Sequence, residues 1–366
     1  MRYNGTGPTL TFKFCDEAPW NFNKAKQNGI SPELLSYMTY VLQPFEDYLA
    51  KLPEELNNLL KAEYDQLLAE VNYDLPKLFD LVTNVCEDYF DPTLLGTANG
   101  INCSETFTEP HYGIGGKCFP TTSNSFPGIG NAFLDLRLPK SRYQPINASI
   151  AGEGAVMYHG AFIHINDASN NLYVLNYEDL TELSLSFYST IMIEKTSTDR
   201  TDQHRVIDTK QCEPSSNQRF EDCLRVDIQK YMVDTYNCSS LLYGEPLPGS
   251  RYCNTEDSSM MPESFWHLKS SVTIKSKCML DCVSNQYKLE IKKNGINIDD
   301  DADHDVAIAY LAYKTLTEIQ TTLAGKSLVD LIAAGGGILG LCFGASILSI
   351  VELIIFFSKK CLGHFK

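Results

Sequence analysis

Between Leu331 and Phe357 the chain runs for 27 residues with a single charged side chain, Glu352. At about 1.5 Å per residue, a helix of that length exceeds the ~30 Å hydrocarbon core of a bilayer. The segment therefore predicts a C-terminal membrane-spanning helix over 331–357; a buried helix of a soluble domain is the alternative. Lys359, Lys360, His364 and Lys366 follow it, whereas Lys326 and Asp330 precede it. The positive-inside bias then puts the tail 358–366 in the cytoplasm and everything before Leu331 outside.

The cysteines agree with that orientation. Ten of the twelve (Cys15, Cys86, Cys103, Cys118, Cys212, Cys223, Cys238, Cys253, Cys278 and Cys282) precede the apolar segment, an even number suited to disulfides in an oxidising compartment. Glycosylation triplets begin at Asn4, Asn102, Asn147 and Asn237, all on the expected outer side. The opening residues Met1 to Leu10 hold neither a signal core nor a membrane span, so the expectation is that an N-terminal segment is missing from this sequence. A formal net charge of -16 over 366 residues argues against a nucleic-acid partner, because phosphate binding needs clustered Lys and Arg.

Upstream, the pattern is α+β. Leu34, Leu35, Met38, Val41 and Leu42, then Leu56, Leu59, Leu60, Leu67 and Leu68, recur at helical spacings between Ser31 and Val85, with Pro53 and Pro76 as dividers. Val156 to Ile165, Ser184 to Ile193 and Val306 to Tyr313 read as strands, and Thr121 to Gly130 and Asp167 to Asn171 as loops. The acidic run Asp299, Asp300, Asp301, Asp303 and Asp305 lacks the spacing of a calcium loop and reads as a solvated loop. Neither G-x-S-x-G nor H-E-x-x-H occurs, and the seven His are scattered, so no catalytic residue, metal or cofactor is expected. Gly335 to Gly340 matches G-x-G-x-x-G, but no strand precedes it and it lies within the apolar span, so the match is accidental.

Gly336, Gly340 and Gly344 recur every four residues and put small residues along one stripe, which lets neighbouring helices approach closely. At Gly344, Ala345 and Ser346 the lack of bulk allows backbone carbonyls to face a cation beside water. Glu352 is costly in lipid and belongs at a pore or an interface. Simple helix packing is the plainer reading of the stripe, and pairing with a neighbouring helix the plainer reading of the glutamate.

The run from Gly336 to Glu352 resembles the second transmembrane helix of the degenerin/epithelial sodium channel/acid-sensing family. Thr9-Leu10-Thr11-Phe12-Lys13-Phe14-Cys15 is similar to that family's first palm strand, Gly116-Lys117-Cys118 to its return from finger to palm, and Ile163-His164 to a β-ball motif. Cys212 to Cys282 resembles its thumb. The resemblance implies a disulfide-rich extracellular region of palm, finger, thumb and β-ball followed by one transmembrane helix. Its segments are the first palm strand (1–30), finger and return (31–120), palm and β-ball (121–205), thumb (206–290), palm to wrist (291–330), helix (331–357) and tail (358–366).

It implies five bridges: Cys15 with Cys118, Cys86 with Cys103, Cys212 with Cys282, Cys223 with Cys278, and Cys238 with Cys253. Asp227 and Ser276 stand where relatives carry a further bridge. It also implies a selectivity belt at Gly344, Ala345 and Ser346 with Glu352 below it, and a gate at Ala333, Gly336, Gly337 and Gly340. The implied function is a subunit of a homo- or heterotrimeric, amiloride-sensitive plasma-membrane channel that passes sodium ions across the lipid bilayer under a ligand or mechanical stimulus. The missing upstream segment would carry the first transmembrane helix. A non-conducting receptor or accessory subunit is the alternative; an extracellular enzyme is a third class.

Overall fold

The computed structural model describes residues 11–16, 19–42, 53–90, 103–113, 116–122, 131–139, 161–166, 180–199, 212, 220–254, 257, 278–295, 304–314, 319–322, 333, 337 and 347–363. In chain order the elements are β1 (Thr11–Asp16), α1 (Phe22–Gln27), α2 (Pro32–Leu42), α3 (Glu54–Glu70), α4 (Leu75–Asp80), α5 (Cys86–Tyr89) and α6 (Cys103–Thr106). There follow β2 (His111–Gly113), β3 (Gly116–Pro120), β4 (Asn131–Pro139), β5 (Ala161–Asn166), β6 (Thr181–Leu183), β7 (Phe187–Asp199) and α7 (Phe220–Tyr236). The last are β8 (Val283–Gly295), β9 (His304–Tyr313), β10 (Ile319–Thr322) and α8 (Ile347–Gly363). The mixture of helices and strands matches the α+β pattern of the sequence.

One sheet has the order β2-β3-β1-β5-β6, and a second has β10-β7-β9-β4 with β8 on β7. Alternation decides what each face of the first sheet meets. Phe12 and Phe14 of β1, Phe119 of β3 and Ile163 and Ile165 of β5 point one way and join a buried cluster with Leu134, Leu136 and Leu138 of β4 and Ala309 and Leu311 of β9. Phe14 anchors it, with ring centroids 5.1 Å from Tyr89 and 5.9 Å from Phe119. The opposite face of β1, β3 and β5 carries Cys15, Cys118 and Phe162.

A helical cluster is built separately from Trp20, Leu34, Leu35, Met38, Leu60, Tyr64, Leu78 and Phe79. The prolines act as the sequence expects: Pro53 stands at the N-cap of α3, and Pro76 lies in the first turn of α4, where no amide hydrogen bond is lost. The strand expected over Ser184 to Ile193 instead begins at Phe187 and runs on to Asp199. Ser186 takes a positive φ of 61° and its N–H donates to Val306 O at 2.8 Å, so β6 ends before β7 begins. Of the strand expected from Val156, β5 supplies the part from Ala161; of the acidic run, Asp305 falls in β9, and the other four aspartates lie outside the described residues.

Five disulfides join Cys15–Cys118, Cys86–Cys103, Cys212–Cys282, Cys223–Cys278 and Cys238–Cys253. They are the pairs that the resemblance implies. Cys278 and Cys282 thus belong to separate bridges. Asp227 lies beside one of them, its carboxylate 3.5 Å from Cys278 Sγ, while Ser276 is outside the described residues.

By contact the chain forms two compact units. The larger comprises Met1–Thr196, Phe220–Cys278 and Asn285–Ile319; the smaller comprises Ser197–Arg219, Met279–Ser284 and Gln320–Lys366. In the smaller unit, α8 holds only the second part of the expected 331–357 span and continues past Phe357 to Gly363. At 17 residues it is about 25 Å long, short of the ~30 Å hydrocarbon core. Among the described residues, no helix is long and apolar enough to cross a membrane.

Candidate functional site

The functional site expected from the sequence falls on the C-terminal apolar segment. Glu352 lies on α8 and is exposed, as are Val351, Leu353, Ile354, Ile355, Phe356 and Phe357, each at 45 to 61%. Seven consecutive exposed positions cover the full circumference of a 3.6-residue turn, so the stretch Val351 to Phe357 of α8 is apolar on all sides apart from Glu352, and Ser358, Lys359 and Lys360 then end it. That is the surface of a helix made for an apolar solvent or for neighbouring helices. Ala333 and Gly337, two of the expected gate residues, are helical and exposed, and a Cβ added at Gly337 would meet nothing within 4 Å among the described residues. Gly336, Gly340, Gly344, Ala345 and Ser346 lie outside the described residues, as do Asn4, Asn102 and Asn147 of the glycosylation triplets.

In the larger unit, the Gly116-Lys117-Cys118 motif has a physical account residue by residue. Gly116 opens β3 at φ +86°, a left-handed conformation that a Cβ strains. Lys117 is 1% exposed, yet its ammonium is satisfied: Nζ donates to Asp80 Oδ1 at 2.9 Å and to Thr83 Oγ1 at 2.9 Å. The Tyr112 hydroxyl donates to the same Asp80 oxygen at 3.0 Å, and Lys117 Nζ lies 5.6 Å from the Tyr112 ring centroid. Burial lowers the Lys117 pKa, and the Asp80 carboxylate pulls it back up. Cys118 stands opposite Cys15 in the β1–β3 register and is bonded to it. The motif thus ties α4 and the segment after it to the sheet by an ion pair, and the two strands to each other by a covalent bond.

The other face of the same sheet holds one lysine and two imidazoles that sequence reasoning missed. Lys13 pairs directly with His164 across β1 and β5, while His111 stands opposite Cys118, which stands opposite Cys15. Lys13 is 1% exposed, and its Nζ has no hydrogen-bond partner among the described residues. Burial pushes its pKa down to about 8, against the pull of Glu221 and Asp222 in the first turn of α7. Burial, helped by the charge of Lys13, holds both His111 and His164 down to about 3, so both imidazoles are neutral. The seven histidines look scattered in sequence, and only strand pairing brings two of them beside one lysine. The available signal was Lys13 inside an otherwise apolar strand, Phe12-Lys13-Phe14.

A covalently braced sheet, an ion-paired Gly-Lys-Cys turn and a C-terminal helix whose exposed stretch Val351 to Phe357 is apolar but for one carboxylate occur here in one chain. The family of amiloride-sensitive sodium channels matches residues 10–356. The chain belongs to that family. No curated protein matches it. Membership in the amiloride-sensitive sodium channels makes it a sodium-channel-type subunit of the plasma membrane with a large extracellular region, and not an enzyme. The match extends from β1 into α8, so it takes in the braced sheet, the Gly-Lys-Cys turn and Glu352 alike.

Proposed function

We propose that the chain is a pore-forming subunit that assembles as a homo- or heterotrimer and passes sodium ions down their gradient through a path lined by its C-terminal helix. What supports this reading is the family match together with the exposed apolar stretch of α8, which Gly344, Ala345 and Ser346 precede in the sequence. Three copies would bring these small residues around one axis, where backbone carbonyls replace part of the hydration shell of sodium. Ala333, Gly336, Gly337 and Gly340 form the gate, and their small side chains allow helices to rotate or slide past one another with little steric cost. Glu352 faces the aqueous path at the inner end, since a carboxylate on lipid is too costly. The outer region folds as palm, finger, thumb and β-ball, residues 331–357 span the bilayer, and the tail 358–366 is cytoplasmic. Its gating stimulus is a ligand or a mechanical force.

A non-conducting accessory subunit would keep the braced outer region and use the helix as an anchor, but an anchor has no need of a glycine, alanine and serine in succession. The test is electrical. Expressed at the surface of a host cell, the chain is expected to give an amiloride-sensitive sodium current whose sodium-over-potassium preference falls on Ser346→Cys or Gly344→Ala. Currents with unchanged selectivity across substitutions at all three belt positions would move the assignment to the anchor.

A further inference from the structure

Helix α7 ends at a residue with a second chemistry. Asn237 adopts a left-handed φ of 57°, which asparagine tolerates better than most side chains, and its N–H donates to Val233 O at 3.0 Å to close the helix. Its side chain is exposed. The next two residues of the triplet Asn237-Cys238-Ser239 are withdrawn from solvent, both at 0% exposure. Cys238 is bonded to Cys253, only 15 positions away. Ser239 is held by every polar atom it has: its N–H donates to Arg251 O at 2.8 Å and its carbonyl accepts from Cys253 N–H at 2.9 Å. Its hydroxyl shares a 2.8 Å hydrogen bond with Ser250 Oγ and accepts from Leu247 N–H at 3.3 Å.

A glycan-transferring enzyme must bind the asparagine and the hydroxyl two residues later together, with the backbone between them extended. The closed bridge forbids both requirements. We propose that Asn237 is a conditional glycosylation site, open only while Cys238 is still a thiol, so that glycan transfer and closure of the Cys238–Cys253 bridge compete for one segment during export. This rests on the extracellular placement of the region. In the first reaction, Asn237 Nδ2 forms a bond to the anomeric carbon of a lipid-diphosphate oligosaccharide. The bond from that carbon to the diphosphate oxygen breaks, the lipid diphosphate departs with the electron pair, and the amide loses one proton. In the second, the two thiols lose two protons and two electrons to an oxidised dithiol oxidoreductase of the secretory pathway, which becomes the dithiol. The short span between the cysteines keeps the closure entropy small, which favours the bridge in the race.

The experiment sends the full chain into the secretory pathway of a eukaryotic host behind a cleavable leader and reads occupancy at each asparagine by glycopeptide mass spectrometry. The wild-type chain is compared with Cys253→Ala, which keeps the triplet intact but removes the bridge, and with wild type made under mild reductant, which tests the same step without a substitution. Both are expected to move Asn237 from low occupancy to near-complete occupancy, a gain of one glycan per chain, and Ser239→Ala is expected to remove it. Asn147, whose triplet Asn147-Ala148-Ser149 has no cysteine, reports that the chain has entered the compartment. Equal Asn237 occupancy in all three samples with Asn147 occupied overturns the competition while leaving the extracellular placement intact. A chain without glycan at any of its four triplets overturns the placement, and the proposal falls with it.

Discussion

Two lysines of similar burial lead opposite lives. Lys117 is enclosed but meets Asp80, Thr83 and two aromatic faces, so removing its charge strands the partners that converge on it. Lys117→Met is expected to destabilise the larger unit by about 2–4 kcal/mol, read as a lowered midpoint in urea. Lys13 is enclosed without a hydrogen-bond partner among the described residues, and the fold depresses its pKa to about 8. Its sign follows from linkage. Above about pH 10.5 both folded and unfolded chains carry the neutral amine, and stability is at its highest. As pH falls to about 8 the unfolded chain takes up the proton first, so stability declines and the full penalty remains at neutral pH. Lys13→Met, similar in length and apolar, is therefore expected to raise stability at pH 7 by about 1–3 kcal/mol. That gain should vanish above pH 10.5 in thermal melts taken at both values; a loss of stability at pH 7 would show that the ammonium is paired.

Among the elements, the strand pair β1–β3 is held by a bridge spanning 103 positions, and the short helices α5 and α6 by one spanning 17. Closing a longer loop removes more entropy from the unfolded chain, about 4.7 kcal/mol for ~100 residues against about 3 for ~15. Replacing Cys15 and Cys118 together by Ala should cost more than replacing Cys86 and Cys103, by roughly 1–2 kcal/mol in denaturant titrations of each pair. The element scale also explains how helices α3 and α4 were readable in advance. Leu56, Leu59, Leu60, Leu67 and Leu68 of α3 keep helical spacing, Pro53 stands at its N-cap, and Pro76 marks the first turn of α4. The break between β6 and β7 was not readable, because Ser186 turns there to meet Val306, a partner 120 positions away in the chain.

For the whole outer region, acid is the informative variable. His111 and His164 are held at about 3, well under the ordinary value of 6.5, so the unfolded chain binds protons that the folded chain refuses between those limits. Stability is full above about pH 6.5 and falls as pH drops toward 3, by an amount on the order of 5 kcal/mol per histidine. Unfolding midpoints measured from pH 7 to pH 3.5 should show that slope, and His164→Gln should flatten part of it; an unchanged slope would place the acid sensitivity elsewhere. What the sequence by itself determined was whatever depends on local order. The apolar run with its glycine stripe, the prolines at helix starts and the even number of cysteines ahead of the apolar run are written in spacing and residue type, and the pairing of those cysteines followed only from the family resemblance. The tertiary structure alone decided which distant side chains became neighbours: Lys117 with Asp80, Lys13 with His111 and His164, Ser239 with Ser250. Strand register and chain reversal bring such groups together, and burial then sets whether a lysine is a satisfied ion, a strained one, or a histidine is neutral, none of which local spacing encodes.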